Sequence, residues 1–322
     1  MKTPKLTVVI PCLNEEPILE ETGRILLEKV KKMEEAGSIL RESSLLFIDD
    51  HSSDRTWEII TSLSQKDSRI HGISLGKQSG QQTALYAGLM WARETCDICI
   101  SMDCDGQDDP EAMEQMVEAW RQGSQIVYGV RKNRKQDPLW KRFSAERYYD
   151  LLAVLGADVI KNHGDFRLMS REALDELSNY QESALFLRGI IPLMGFEESC
   201  VYYERKPRLG GKTSYTPGKM IRLALDGITG SAVRPLRLFT VMGAGIFFGS
   251  LIAVCLAAFR CLQGEAVSGW FLMACILCLL GGLQLAGIGL AGEYLGRIYL
   301  EIKGRPRYRI AKETENRKDR DF

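Results

Sequence analysis

The chain lacks the glycine signatures that most often announce phosphate binding. No GxGxxG follows the first apolar run, and no GxxxxGK[ST] occurs anywhere. The first absence removes most support for a dinucleotide-binding reading, the second for a P-loop NTPase. Net charge is missing too, with 42 Lys+Arg against 42 Asp+Glu. A nucleic-acid partner favours a basic domain, so none is expected. Nine cysteines are present, without two CxxC pairs at the short spacing of a zinc site and without a histidine cluster. That pattern indicates neither a zinc site nor a redox pair. Cys275 and Cys278 form a CxxC inside an apolar run, where they read as small buried hydrophobes. A reducing compartment is expected. The N-terminal MKTPKLTVVIP meets proline and then charge too soon for a secretory signal.

What is present over residues 1 to about 155 is an alternation. Short β-branched runs at Leu6–Pro11, Leu45–Asp49, Ile70–Leu75, Ile98–Met102 and Gln125–Val130 read as strands. Amphipathic stretches at Pro17–Glu35, after Asp54 to Ser64, Thr83–Arg93 and Pro110–Arg121 read as helices, with Asp54 as an N-cap. Such alternation predicts βαβ units, a mostly parallel sheet and an α/β fold covered on both faces. Ligands of open α/β sheets bind outside the carboxyl ends of the strands. Asn14-Glu15, Asp49-Asp50, Lys77–Gly80 and an acidic cluster all follow strands there.

The acidic cluster is Asp103-Cys104-Asp105-Gly106-Gln107-Asp108-Asp109. Two carboxylates one residue apart at a strand end suit a hard divalent cation, whose shell phosphate oxygens and water complete. The pattern therefore points to diphosphate chemistry.

The C-terminal third has a different character. Leu238–Phe259 and Ala266–Gly292 carry no charged residue. Each exceeds the roughly 20 apolar residues that cross a bilayer. Basic residues crowd 200–237 and 297–309, whereas the loop between the runs has only Arg260. By the positive-inside rule both termini are expected in the cytoplasm. Lys219–Ile228 is amphipathic and basic, as in a helix lying among headgroups. Gly243, Gly245 and Gly249 suit close helix packing, within the hairpin or between copies in a homo-oligomer.

An ordered set of motifs runs through nearly the whole chain: PCLNEE (11–16), IDDHSSDRT (48–56), MDCDGQDDPE (102–111), GDFRLMSRE (164–172), FLRG (186–189), RLGGKTSY (208–215) and GEYLGRIYLE (292–301). The set resembles the family 2 polyprenyl-phosphate glycosyltransferases, related to bactoprenol glucosyltransferases and dolichyl-phosphate mannose synthase. The resemblance implies a GT-A fold, a nucleotide-sugar donor, Mg²⁺ or Mn²⁺, and inverting transfer to a membrane lipid phosphate. Carried over by motif, Pro11, Leu13, Glu15, Asp50, Gly80 and Asp103 fall to the donor. Asp105 and Gln107 match metal ligands, Asp165 and Arg167 the pair at the reacting centre, and Arg131, Arg142 and Arg208 groups that hold the acceptor phosphate.

The expected organisation is then a cytoplasmic transferase domain over 1–215 and an amphipathic segment over 216–237. Two spans follow, 238–259 and 266–292, and a basic cytoplasmic tail, 293–322. UDP-glucose is the expected donor and undecaprenyl phosphate the expected acceptor, at the bacterial plasma membrane. Two alternatives stand beside this. A processive polysaccharide synthase of the same fold usually carries QxxRW and more spans, and the chain has neither. A non-catalytic nucleotide-sugar-binding membrane module would keep its partners after Asp105→Ala.

Overall fold

A computed structural model describes residues 3–132, 163–180, 186–204 and 301–314, with separate helical positions between 270 and 299. Among these residues the parallel βαβ expectation holds for the first half. Strands β1 (Leu6–Cys12), β2 (Ser44–Asp49), β3 (Ile70–Leu75) and β4 (Ile98–Ser101) alternate with helices α1 (Leu19–Glu35), α2 (Thr56–Lys66) and α3 (Gln81–Arg93). Helix α4 (Ala112–Arg121) leads to β5 (Ile126–Arg131). Then come β6 (His163–Ser170), α5 (Arg171–Asn179), the short turn α6 (Leu187–Ile190), β7 (Glu198–Tyr203) and β8 (Ile310–Glu313). The eight strands form one sheet in the order β7-β5-β6-β4-β1-β2-β3-β8. It is mixed but mostly parallel, as in the GT-A architecture.

The strands are apolar on both sides because helices cover both faces. One face packs Leu6, Val8, Ile10, Phe47 and Ile100 against Leu26, Val30 and Met33 of α1 and Met113 and Met116 of α4. The other packs Val9, Leu46, Ile48 and Ile73 against α3 and α5. Helix α3 comes closest. A Cβ built on Gly88 would lie 2.6 Å from both Ile48 Cδ1 and Val9 Cγ1. Only glycine lets this helix settle on β1 and β2.

Three details differ from the sequence expectations. The residue before α2 is Arg55, and it makes no side-chain cap. Asp54 lies one position earlier, its carboxylate accepting from the N–H and hydroxyl of Thr56 at 3.0 and 2.6 Å. Helix α3 begins at Gln81, two residues ahead of Thr83. The third difference lies in the segment expected as a basic tail, where β8 pairs antiparallel with the edge strand β3. Thr314 Oγ1 accepts from the Gly72 N–H at 3.0 Å, and Trp91 Nε1 donates to Glu313 at 2.8 Å. Backbone groups of an otherwise open edge gain partners that composition alone does not reveal.

Among the described residues no helix is long and apolar enough to cross a membrane. The expected first span, 238–259, and the amphipathic stretch 219–228 lie outside the described residues. So do most positions of 266–292 and the candidate phosphate ligands Arg142 and Arg208. Within 270–302 the described helical positions include exposed Trp270, Met273, Leu277, Leu295, Ile298 and Ile302.

Candidate active site

The sheet register decides which side chains meet. Parallel pairing aligns Cys12 of β1 with Asp49 of β2, and Val9 of β1 with Ser101 of β4. The loops after these strands therefore open at one edge. Strand β6 runs the other way, with Arg167 opposite Ser101. Two residues beyond Ser101 is Asp103, and two residues before Arg167 is Asp165. Antiparallel pairing thus carries Asp165 to the acidic turn from 62 residues downstream in the chain. The Ser101 hydroxyl donates to the Asp165 carbonyl and fixes this register.

The loops after β1 and β2 are joined. Asn14 takes φ 54°, in the left-handed region that asparagine tolerates. There its N–H donates to Ser52 Oγ at 2.9 Å, and its Oδ1 accepts from the Ser53 N–H at 2.8 Å. The Glu15 N–H donates to Thr56 Oγ1 at 3.0 Å. Pro11, Leu13 and Glu15 are half-buried along this rim. Asp50 accepts from the N–H groups of Ser79 at 2.7 Å and Gly80 at 2.8 Å, which draws the β3–α3 loop onto the β2 end. Burial raises the Asp50 pKa, and the two N–H donors oppose that shift.

Helix α3 begins at this edge and presents two glutamines. Gln81 Nε2 donates to Asp103 Oδ1 at 2.8 Å, and Gln82 Nε2 to Asp165 Oδ2 at 3.1 Å. Asp105 Oδ1 accepts from the Gln107 N–H at 3.1 Å. Asp108 is buried; it accepts the Asp103 N–H on one oxygen and the Tyr203 hydroxyl on the other. Arg131 donates from Nε to Tyr203 Oη at 3.3 Å and lies 3.9 Å from Asp108. Gly164 leaves room for it, since a Cβ there would lie 3.3 Å from Arg131 Nη2.

The electrostatics divide the carboxylates into two kinds. Burial, reinforced by Asp108, Asp165 and Asp105, pushes Asp103 up to about 8. Burial acts on Asp165 in the same direction. There Arg188 and Arg167 more than offset it and hold the group well below the usual carboxylate range. Asp165 is therefore ionised and spanned: Arg167 Nη2 at 2.9 Å, Arg188 Nε at 3.0 Å and Arg188 Nη2 at 3.1 Å. Arg167 itself is 1 % exposed, so it holds Asp165 from inside the fold.

Sequence motifs placed Asp103, Asp105, Gln107, Asp165 and Arg131 in one neighbourhood, and the structure brings them there. Gln81, Gln82, Asp108, Tyr203 and Arg188 were not singled out. Asp108 and Arg188 lay inside quoted motifs without a role. For Tyr203 no sequence signal exists, because β7 reaches the site only through its parallel pairing with β5.

Oxygen donors crowded by like charge are a set that a hard cation relieves. Among the described residues no group of three or more His, Cys, Asp or Glu forms a metal cage. Mg²⁺ is usually held by one or two carboxylates, with phosphate and water completing its shell. The donor chemistry at Asp103, Asp105 and Gln107 fits that mode.

The sequence profile for Glycosyl transferase family 2 matches residues 7–178. The chain belongs to this family. The family 2 chain is 44% identical over 307 residues to an uncharacterized glycosyltransferase of Bacillus subtilis (strain 168), covering 95% of this chain and 91% of that one. It is 36% identical over 312 residues to a bactoprenol glucosyl transferase of Shigella phage SfX, covering 95% and 98%. A prophage bactoprenol glucosyl transferase homolog of Escherichia coli (strain K12) is also 36% identical, again covering 95% and 98%. In fold, this glycosyltransferase resembles mannosyl-3-phosphoglycerate synthase from Rubrobacter xylanophilus. The TM-score is 0.50 at 15% identity, covering 73% of this chain and 74% of that one.

Proposed function

We propose that this transferase moves a hexose, glucose, from a UDP-sugar to undecaprenyl phosphate at the cytoplasmic face of the bacterial plasma membrane. The observation that carries this reading is the extent of the likeness to the bactoprenol glucosyl transferases. It spans 95% of the chain, far beyond the 7–178 family region. The shared part therefore includes the two uncharged runs. The exposed apolar side chains at Trp270, Met273, Leu277, Leu295, Ile298 and Ile302 support a hairpin set in lipid.

The chemistry suits the site. An oxygen of the acceptor phosphate attacks the anomeric carbon from the face opposite the diphosphate. The new C–O bond forms as the old one breaks, the electron pair leaves with UDP, and the configuration inverts. A phosphate monoester with a second pKa near ~6 is already largely dianionic at neutral pH. No strong base is needed, and Asp165, ionised and spanned by two arginines, positions its neighbours instead. Pro11, Leu13, Glu15, Asp50 and Gly80 line the donor side, and Arg131 the acceptor side. Asp105 and Gln107, beside Asp103, would hold Mg²⁺ or Mn²⁺, which when bound neutralises charge on a departing diphosphate.

The test is direct. Membranes containing the full chain are incubated with radiolabelled nucleotide sugars, undecaprenyl phosphate and Mn²⁺. Chloroform-soluble label from UDP-glucose is expected, abolished by chelation and by Asp105→Ala. Label in a polymer, or none in lipid from any donor, removes the proposal.

A further inference from the structure

Two guanidinium groups converge on one carboxylate in this fold, and only one of them reaches solvent. Arg167 projects from β6 and is 1 % exposed, with Nε and Nη1 buried and without a hydrogen-bond partner. It is sealed in the fold and cannot reach a ligand from there. Arg188 comes from the short turn α6, and its side chain is 32 % exposed. It adds a second positive charge to a carboxylate that already has one.

The position of Arg188 is set twice. Its Nε and Nη2 take both oxygens of Asp165, at 3.0 and 3.1 Å. The preceding residue, Leu187, donates its N–H to Gln82 Oε1 at 3.3 Å, while the same Gln82 donates from Nε2 to Asp165. One glutamine at the start of α3 thus ties the turn and the carboxylate together. Nε and Nη2 form one edge of the guanidinium fork, so its Nη1 edge faces away from Asp165. Asp103 stands close enough to feel the Arg188 charge. Gln81, the residue before Gln82, donates to Asp103 at 2.8 Å, so Asp165 and the Arg188 turn are tied beside the acidic turn that the proposed function gives to the donor.

We propose that Arg188 is a catalytic residue that grips the donor's diphosphate and stabilises it as it departs. The inference rests on the proposed function for the class of donor, a nucleoside diphosphate sugar, and not for the acceptor. Arginine suits the task because its planar fork matches phosphate oxygens in pairs. Charge develops on the diphosphate as the sugar–oxygen bond breaks, and a prepositioned cation acts most strongly on such developing charge. Asp165 and Gln82 supply the prepositioning, and Arg167 pairs with Asp165 from behind.

The decisive experiment measures binding of UDP and UMP, with GDP and GMP as a second pair, to the full chain in detergent by calorimetry. Arg188→Ala should weaken the diphosphate about 10- to 100-fold, the range for a charged hydrogen bond. The monophosphate should change by less than about twofold, since the lost contact is to the missing phosphate. Turnover with the sugar donor should fall about 10²- to 10³-fold, as when one charge-stabilising donor is removed. Added guanidinium ion should restore part of it. Arg188→Lys keeps a cation beside Asp165 and lacks the fork, so it should retain the fold and still lose diphosphate preference. It serves as the test if Arg188→Ala unfolds. A merely structural role would weaken both nucleotides alike and show no rescue. That result, unchanged diphosphate preference, or a wild-type chain with no such preference, overturns the inference. Normal diphosphate preference without any lipid-linked product would instead overturn the acceptor assignment and leave Arg188 in place.

Discussion

The hydroxyl of Tyr203 donates to Oδ1 of Asp108, and through this contact the outermost strand β7 supports the acidic turn. The other oxygen of Asp108 accepts the Asp103 N–H at 3.4 Å. Tyr203→Phe leaves a buried carboxylate short of one donor. We expect a loss of about 1–3 kcal/mol, the cost of an unsatisfied buried partner. Denaturant unfolding measures it. Because Asp108 braces the turn, the Mn²⁺ concentration for half-maximal activity should rise in the same variant.

Asp165 cannot be removed cleanly. Arg167 is sealed in the fold with Asp165 as its ion-pair partner. Asp165→Ala leaves a buried, unpaired cation, at a cost of about 3–5 kcal/mol. Thermal unfolding should show a large drop for this variant and a small one for Arg188→Ala, whose side chain is partly in water. Activity lost by Asp165→Ala is therefore to be read against its melting temperature before any proton-transfer role is drawn from it.

Two glycines of the α3 region should respond differently to alanine. Gly80 has φ 92° with open space around a built Cβ. Gly80→Ala carries backbone strain alone, about 1–3 kcal/mol, because φ 92° with ψ 154° is a region only glycine occupies readily. Its N–H is held by Asp50, so the nucleotide KM should rise as well. Gly88→Ala meets Ile48 and Val9 at 2.6 Å. Overpacking of this kind costs about 1–3 kcal/mol. It should lower stability without selectively affecting nucleotide binding. Paired unfolding and UDP titrations separate the two.

The acid pair Asp103 and Asp67 should give opposite pH dependence in the metal-free protein. Burial among other carboxylates raises Asp103 from its ordinary 3.8 to about 8. The folded state then binds a proton that the unfolded state has released. Stability is expected to fall as pH rises from about 4 to about 8. Asp103→Asn should flatten that decline, and Mn²⁺ should oppose it. For Asp67 a hydrogen bond from Arg69 lowers the pKa to about 2. Its contribution is present above its ordinary pKa and is lost as pH falls from about 4 towards 2. Unfolding midpoints across pH, with Asp67→Asn as the second variant, check both signs.

The return strand β8 should matter to stability. Thr314 is buried, and its hydroxyl takes the Gly72 N–H. Thr314→Val keeps the shape and removes the acceptor, for about 1–3 kcal/mol. Hydrogen exchange at Gly72 should accelerate while that at Val8 of central β1 changes little.

The four central strands, the acidic turn and the family were legible in the chain. Each rests on local information: β-branched runs, helical periodicity, and carboxylates spaced to share an ion. Gln81, Gln82 and Tyr203 were not legible, because no local pattern marks a side chain whose partner is set by strand register. Arg188 stood inside a recognisable motif, yet its neighbour Asp165 lies on β6, more than twenty residues earlier, and sequence does not show that Arg167 is buried while Arg188 is partly exposed.

Alternation of short apolar runs with amphipathic stretches, by itself, determined an α/β sheet with its chemistry at the carboxyl ends of the strands. Side-chain period and helix period are properties of the nearest residues and need no distant partner. The reversed direction of β6, the capture of β8 at the far edge, and the burial of one arginine beside an exposed one were decided only by tertiary structure. Those outcomes depend on which backbone groups find partners across long stretches of chain, and that competition is settled by packing of the whole sheet.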